Sequence, residues 1–272
     1  MKRVIAVHDI SGVGKCSLTA ALPILSAAGV ECNPLPTAIL STHTGNIEGY
    51  TFTDLTEKLL PSFEHWMKLG LEFDGIYSGY LGSVEQTKIV EYMAEKLKGA
   101  LVVIDPAMAD SGKLYVGFDN KFVEEMKSLC KKADVLVPNI TEGYLLTGKK
   151  YIASPTVNET EELLRDLGAL SKKYVVLTGT CIEEGKTGVS VFEKSSGIIR
   201  HFSAEKYPGI YYGTGDIFAS VLTAELMKGS DCFSAAEKAM QFTGKAIKDT
   251  CEAGTDPRFG VAFEKHLKML TE

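Results

Sequence analysis

The sequence predicts an α/β fold in which a central, mostly parallel sheet is flanked by helices on both faces. Short runs of β-branched and apolar residues alternate with amphipathic segments along the 272 residues, a pattern typical of parallel strands joined by helices. Each of these runs is followed by polar or acidic residues, as expected where strands end at a ligand site. Since no repeat, low-complexity tract or linker divides the chain, we expect a single domain over residues 1–272.

The individual elements follow from this periodicity. Strands are expected at residues 4–7, 75–78, 101–104, 135–137 and 174–177, with a hairpin formed by 189–192 and 197–202. Helices are expected at residues 14–28, within 53–69, at 83–97, 118–132, 140–147, 159–171, 216–228, 234–250 and roughly 257–270. We expect Pro23 to kink or interrupt the first helix, and Pro34 and Pro36 to break the extended chain at 30–40.

Composition restricts the function classes. The apolar content of 45%, the charged content of 24% and the net charge of −6 are ordinary for a folded protein and favour neither nucleic acid nor membrane as a partner. The six cysteines form no C-x-x-C pair, so we expect reduced, buried thiols in a cytoplasmic protein. His8 and Asp9 end the first apolar run too early for a signal peptide, and the longest uncharged run is too short to span a bilayer.

Polar side chains follow five successive predicted strands. Asp9 follows the first strand, residues 78–80 the second, Asp105 the third, Asn139 the fourth, and Thr178 with Gly179 the fifth. Because ligands bind at the carboxyl ends of strands in open parallel sheets, these residues predict a binding site at that edge. Loops are polar for other reasons as well, but this does not account for a carboxylate directly before Pro106.

A glycine-rich loop, Gly213-Thr214-Gly215-Asp216, leads into a long apolar helical run. The first turn of a helix has unpaired backbone N–H groups and the positive end of the helix dipole, which together favour a bound anion. Asp216 would repel that anion, unless it serves as a base that activates a hydroxyl for attack on a phosphoryl group. The local sequence leaves a second interpretation open, namely that Asp216 only caps the helix.

A P-loop is a poor interpretation of the segment around Lys15. The pattern G-x-x-x-x-G-K-[ST] requires glycine at position 9 and a hydroxyl residue at position 16, where the chain has Asp9 and Cys16. Both departures affect positions with a physical task, namely the turn and the magnesium-binding hydroxyl. We therefore expect Lys15 to be a surface residue of the first helical turn.

Together these segments resemble the ribokinase-like superfamily of small-molecule kinases, and within it the vitamin-kinase branch that contains pyridoxal kinases and hydroxymethylpyrimidine kinases. The resemblance spans the whole chain and rests on five segments in the order of the family: 9–14 (DISGVG), 41–45 (STHTG), 105–110 (DPAMAD), 139–142 (NITE) and 213–216 (GTGD). Segment 41–45 resembles the S-x-H-T-G segment of pyridoxal kinases more than its counterpart in hydroxymethylpyrimidine kinases.

The resemblance implies a role for each matching residue. Gly213, Thr214 and Gly215 would form the anion hole around the transferring phosphate of ATP, and Asp216 would be the catalytic base. Mg²⁺ and the phosphates would be held, largely through water, by Asn139, Glu142, Asp105 and Asp110. Asn139 and Glu142 also have the spacing of a helix capping box, and Thr178 with Gly179 would contact the nucleotide phosphates.

The substrate implied by the resemblance is a vitamin B6 vitamer, with hydroxymethylpyrimidine as the alternative. His43 and Tyr80 would lie against a flat heteroaromatic ring, while Asp9 or Thr44 would bond its polar substituents. Tyr212 stands where some bacterial vitamin kinases have a cysteine, so covalent capture of an aldehyde by that route is not expected. Relatives are often dimers, and we expect a homodimer by resemblance only.

Overall fold

The computed structural model describes residues 1–271 and contains a sheet of nine strands. The strands of the chain are β1 (Arg3–Val13), β2 (Glu31–Thr42), β3 (Phe52–Asp54), β4 (Gly75–Ser78), β5 (Leu101–Ile104), β6 (Ala109–Asp110), β7 (Lys113–Leu114), β8 (Val135–Leu136), β9 (Tyr174–Thr180), β10 (Lys186–Glu193) and β11 (Ile199–Glu205). The large sheet has the order β11-β10-β9-β8-β5-β4-β1-β2-β3. Its six central strands are parallel, whereas β3, β10 and β11 join as antiparallel edges.

Within residues 1–271, eight α-helices connect and cover these strands. They are α1 (Ser17–Ala27), α2 (Thr56–Lys68), α3 (Val84–Lys96), α4 (Asn120–Cys130), α5 (Ile140–Thr147), α6 (Val157–Leu167), α7 (Thr214–Lys228) and α8 (Cys232–Ala253). One apolar core packs helices α2 to α6 against one face of the sheet, and a second packs α1, α7 and α8 against the other. The predicted α/β fold with helices on both faces is thereby confirmed.

The two prolines of β2 do not break the strand. Glu31 donates its N–H to the carbonyl of Lys2, directly before β1, and alternation along the strand then turns the nitrogens of Pro34 and Pro36 toward the opposite side. On that side β3 pairs only with residues 38–40, so the missing N–H groups interrupt no ladder. The prediction of a broken strand was therefore wrong, and α1 likewise continues through Pro23.

The prediction of a C-terminal helix at residues 257–270 was also wrong. The segment forms two 3₁₀ turns, Pro257–Phe259 and Glu264–Leu270, because Gly260 between them has φ 87° and cannot continue a helix. The short hairpin of β6 and β7 was not predicted, since two-residue strands have no measurable periodicity. All six cysteines are free, as expected, but only Cys16, Cys130 and Cys232 are buried; Cys32 and Cys251 are half-buried and Cys181 is exposed.

Candidate active site

Two adjoining cavities open at the carboxyl ends of the parallel strands. The first has a volume of about 370 Å³ and the second about 390 Å³, which are sizes typical of small-molecule sites. The wall that they share is formed by Ala107, Asp110, Tyr115, Tyr212, Gly213 and Asp216. Groups bound in the two cavities can therefore meet beside Asp216.

Asp216 lies in the first turn of α7, and its side chain is 18% exposed. Burial raises the pKa of this carboxyl to about 7, against the opposing effect of a hydrogen bond from the backbone N–H of Ser17. Within residues 1–271, no side chain caps the start of α7, so Asp216 does not act as the cap of its own helix. A carboxyl whose pKa lies near neutrality has the basicity that proton abstraction at neutral pH requires.

The loop before α7 is shaped by Gly213, which adopts φ 76° and forms the N-cap. A Cβ at this position would overlap the backbone carbonyl of Lys15, so only glycine permits the observed approach of the two loops. Thr214 donates its hydroxyl to the carbonyl of Tyr211 at 3.1 Å, which holds the turn. The first turn of α7 lines the first cavity, where its unpaired N–H groups would stabilise an anion.

Asn139 and Glu142 form the capping box that their spacing predicted. The Asn139 side chain accepts a hydrogen bond from the Glu142 N–H at 3.0 Å, and Glu142 accepts one from the Asn139 N–H at 2.8 Å. Glu142 also accepts a hydrogen bond from the Met108 N–H at 2.9 Å. Its side chain therefore ties the start of α5 to the segment that follows β5, and burial raises its pKa to about 7.

Asp105 directly follows β5 and is buried near the carboxylates of Glu142 and Asp216. Burial, the charge of Glu142 and then the charge of Asp216 raise the pKa of Asp105 well above its ordinary value. This accumulation of negative charge is what a divalent cation would neutralise. Nowhere in the part of the chain that the structure describes do three or more His, Cys, Asp or Glu side chains converge closely enough to enclose a metal by themselves. The donor set therefore fits Mg²⁺ bound through water and phosphate oxygens, not an all-protein cage.

The predicted nucleotide-binding residues line the first cavity. Thr178 and Gly179 lie at the end of β9, where Thr178 donates its N–H to the carbonyl of Pro138 at 2.9 Å. Gly179 has φ 76° and is exposed. The same cavity is also lined by the apolar residues Val189, Ile210, Phe218, Met240 and Ile247. Sequence reasoning did not identify this apolar lining, because its residues come from distant segments of the chain.

The predicted substrate residues all line the second cavity: Asp9, His43, Thr44 and Tyr80. Asp9 is 5% exposed and accepts hydrogen bonds from the hydroxyls of Ser11 at 2.9 Å and Ser17 at 2.5 Å. Burial raises its pKa despite these two donors. The ring of Tyr80 packs against Phe118 at 5.7 Å, while Thr44 is exposed at the entrance of the cavity.

His8, Ser17 and Tyr115 are site residues that the sequence did not reveal. The Nδ1 atom of His8 lies 4.0 Å from a carboxylate oxygen of Asp216, and burial lowers the pKa of this imidazole to about 3. His8 is therefore neutral and supplies no countercharge to the carboxylate. The available signal in the sequence was the position of His8, directly after the first predicted strand.

Lys15 lines neither cavity, in agreement with the rejection of a P-loop, but it precedes α1 and does not lie in its first turn as predicted. Its ammonium group lies 2.8 Å from Glu264. Neither His65 nor His201 belongs to a metal cluster within residues 1–271, and His201 is hydrogen-bonded to the Ser190 hydroxyl at 2.8 Å. None of the helices within residues 1–271 is long and apolar enough to cross a membrane.

Comparison with known proteins assigns this arrangement of strands, loops and carboxylates to a family. The family model of the phosphomethylpyrimidine kinases matches residues 16–259. The chain belongs to this family. The resemblance to ribokinase-like vitamin kinases is thereby confirmed, and with it the enzyme class, a kinase that acts on an alcohol group.

Individual members of the phosphomethylpyrimidine kinase family are similar over nearly the whole chain. A Bacteroides thetaiotaomicron protein described as a phosphomethylpyrimidine kinase is 39% identical to this chain. Its crystal structure with pyridoxal superposes with a TM-score of 0.94 and covers 100% of this chain and 96% of that one. The pyridoxal kinase of Lactobacillus plantarum is 34% identical, with a TM-score of 0.93 and coverage of 99% and 96%. A pyridoxine/pyridoxal/pyridoxamine kinase of Bordetella avium is 27% identical over 265 residues, which cover 91% of this chain and 85% of that one.

Proposed function

We propose that the protein phosphorylates the hydroxymethyl group of a vitamin B6 vitamer, pyridoxal, pyridoxine or pyridoxamine, with ATP as the donor. The observation that carries this proposal is the common wall of the two cavities, on which Asp216 lies beside the start of α7. The kinases and the pyridoxal complex among its relatives support the choice of substrate.

In the proposed reaction Asp216 takes the proton of the vitamer's primary hydroxyl. The hydroxyl oxygen forms a new bond to the γ-phosphorus of ATP while the bond between that phosphorus and the bridging oxygen of ADP breaks. The N–H groups at Gly213, Thr214 and Gly215 stabilise the charge on the transferring phosphoryl group. Thr178 and Gly179 contact the other phosphates of the nucleotide.

Mg²⁺ would neutralise phosphate charge during this transfer. Asp105 and Asp110 would hold its water ligands, and Glu142 would orient the neighbouring backbone, because both of its oxygens accept hydrogen bonds from backbone N–H groups. Asn139 would act together with Glu142, and its amide donates to the Ala109 carbonyl at 2.7 Å.

On the substrate side, the exposed hydroxyl of Thr44 and the buried carboxylate of Asp9 would bond the polar substituents of the ring, and Tyr80 would pack against its face. We further infer that residues 1–272 form one kinase domain that acts as a cytoplasmic homodimer. The continuous sheet from β1 to β11 supports the single domain; the assembly and the location rest on the resemblance alone.

A substrate panel tests the proposal. ATP consumption is measured with pyridoxal, pyridoxine, pyridoxamine, hydroxymethylpyrimidine and ribose, and we expect turnover of at least one B6 vitamer and none of ribose. Hydroxymethylpyrimidine is the second candidate substrate, because the matching family model bears the name of the thiamine-pathway kinases. Turnover of hydroxymethylpyrimidine without any B6 vitamer would reverse the order of the two candidates, and turnover of neither would refute both.

A further inference from the structure

Both nitrogens of the His43 imidazole are hydrogen-bonded to the protein backbone. Nδ1 accepts the N–H of Gly45 at 3.0 Å, and Nε2 lies 2.5 Å from the carbonyl oxygen of Arg258. Because an amide N–H only donates and a carbonyl only accepts, the ring carries its proton on Nε2. No nitrogen of His43 is left to bind a polar group of the substrate, although the residue lines the substrate cavity.

The face of the His43 ring is also occupied by the protein. It stacks on Tyr212 with ring centroids 5.0 Å apart and an angle of 27° between the planes. Backbone packs closely against each of the two rings, since a Cβ at Gly45 would overlap the Tyr212 ring and a Cβ at Gly14 would overlap His43 itself. His43 therefore contacts Tyr212, which directly precedes the glycine-rich loop at residues 213–215, called the phosphate loop below.

Close backbone packing extends this contact to four chain segments. A Cβ at Gly213 would overlap the Lys15 carbonyl, and a Cβ at Gly260 would overlap the Gly14 carbonyl. Tyr212 also directs its N–H toward the carbonyl of Pro257 at 3.5 Å. We call the four segments 14–15, 43–45, 212–213 and 257–260 the glycine junction. Within it, His43 is hydrogen-bonded to Arg258 and stacked on Tyr212, which belong to two other segments.

We propose that His43 is a positioning residue that joins the substrate cavity to the phosphate loop, so that the vitamer and ATP bind cooperatively. Thr44 lies between His43 and Gly45 and is exposed in the substrate cavity. A vitamer that binds Thr44 would thereby stabilise the observed contacts of His43 with Tyr212 and Arg258, and with them the position of Gly213 at the start of α7. By linkage, ATP must strengthen vitamer binding by the same factor. This inference rests on the proposed function, which assigns one ligand to each cavity.

The test measures pyridoxine binding by calorimetry, with and without saturating Mg²⁺ and a non-hydrolysable ATP analogue. His43→Phe keeps a flat ring for stacking on Tyr212 but removes both hydrogen bonds, and His65→Phe makes the same change at an exposed position on α2. In wild type and His65→Phe the analogue should tighten pyridoxine binding about tenfold. In His43→Phe this factor should fall to about one, while the analogue alone binds as in wild type.

A second variant guards against misfolding of the first. His43→Asn keeps an acceptor near the Gly45 N–H but loses the contact with the Arg258 carbonyl, and it too should lose the coupling. Coupling that persists in either correctly folded variant would overturn the proposal, as would a wild-type protein that binds both ligands independently. Failure of wild type to bind pyridoxine or the analogue on its own would instead refute the assigned function of the cavities.

Discussion

The pH dependence of the reaction is the property that the environment of Asp216 determines most directly. Burial places the pKa of this carboxyl at about 7, and only the ionised form can take the proton of the substrate hydroxyl. Lowering the pH from 8 to 6 should therefore reduce the ionised fraction from about nine tenths to about one tenth, a fall of about tenfold in kcat/KM. An exposed aspartate would remain ionised over the same interval and would produce a flat profile.

The assay is the initial rate of ADP release at pyridoxine concentrations below KM, with saturating ATP and Mg²⁺. Pyridoxine and ATP titrate in part of this range, so their ionisation is measured separately and used to correct the concentrations of the reacting forms. The corrected profile should rise with pH and level off above about pH 8. A corrected rate that changed less than twofold between pH 6 and 8 would refute the argument that burial tunes this base.

Three further substitutions test the surrounding structure. Asp105→Asn removes a buried carboxylate whose pKa is raised by burial and by the charge of Glu142, so urea unfolding should show the variant more stable than wild type at pH 8. The difference in stability should disappear near pH 4, because the raised pKa of Asp105 destabilises the folded state only above the pKa of the same carboxyl in the unfolded chain. A variant less stable than wild type at pH 8 would contradict this reasoning. Gly213→Ala should lower the free energy of unfolding by about 3 kcal/mol through backbone strain and overlap with the Lys15 carbonyl. Gly254→Ala is the control and should lower it by only about 1 kcal/mol, because Gly254 has φ 62° but open space around its Cα. Equal losses in thermal unfolding would count against the overlap. Glu142→Gln should raise the Mg²⁺ concentration for half-maximal rate about tenfold by releasing the backbone that it orients, and an unchanged magnesium titration would exclude that role.

Several elements were predictable because their signals are local. Strands β4 and β5 were predicted with the bounds observed, since each is a short apolar run between turn residues. The capping box of Asn139 and Glu142 was likewise readable from a three-residue spacing. Asp105 could be placed at the site because it directly follows β5. Asp9 was expected to follow the first strand as well, but it lies within β1, which continues to Val13.

Other features depend on contacts between distant segments. The prolines of β2 are harmless only because its outer side is partly open, which the local sequence does not show. His43 was expected to lie against the substrate ring, yet its nitrogens are bonded to Gly45 and Arg258, of which the second is far away in sequence. No periodicity reports such a contact. The pKa of Asp216 is non-local in the same sense, because it follows from burial by neighbouring loops.

The central claim is that Asp216 is the base of a kinase that acts on a B6 vitamer. Its most direct test is the rate of pyridoxine 5′-phosphate formation by Asp216→Asn, compared with wild type at pH 8 after calorimetry has shown that both bind pyridoxine and the ATP analogue. We predict a fall in kcat of about 10²–10⁴-fold with binding retained. A variant that binds both ligands and keeps its rate within a few fold of wild type would contradict the assignment.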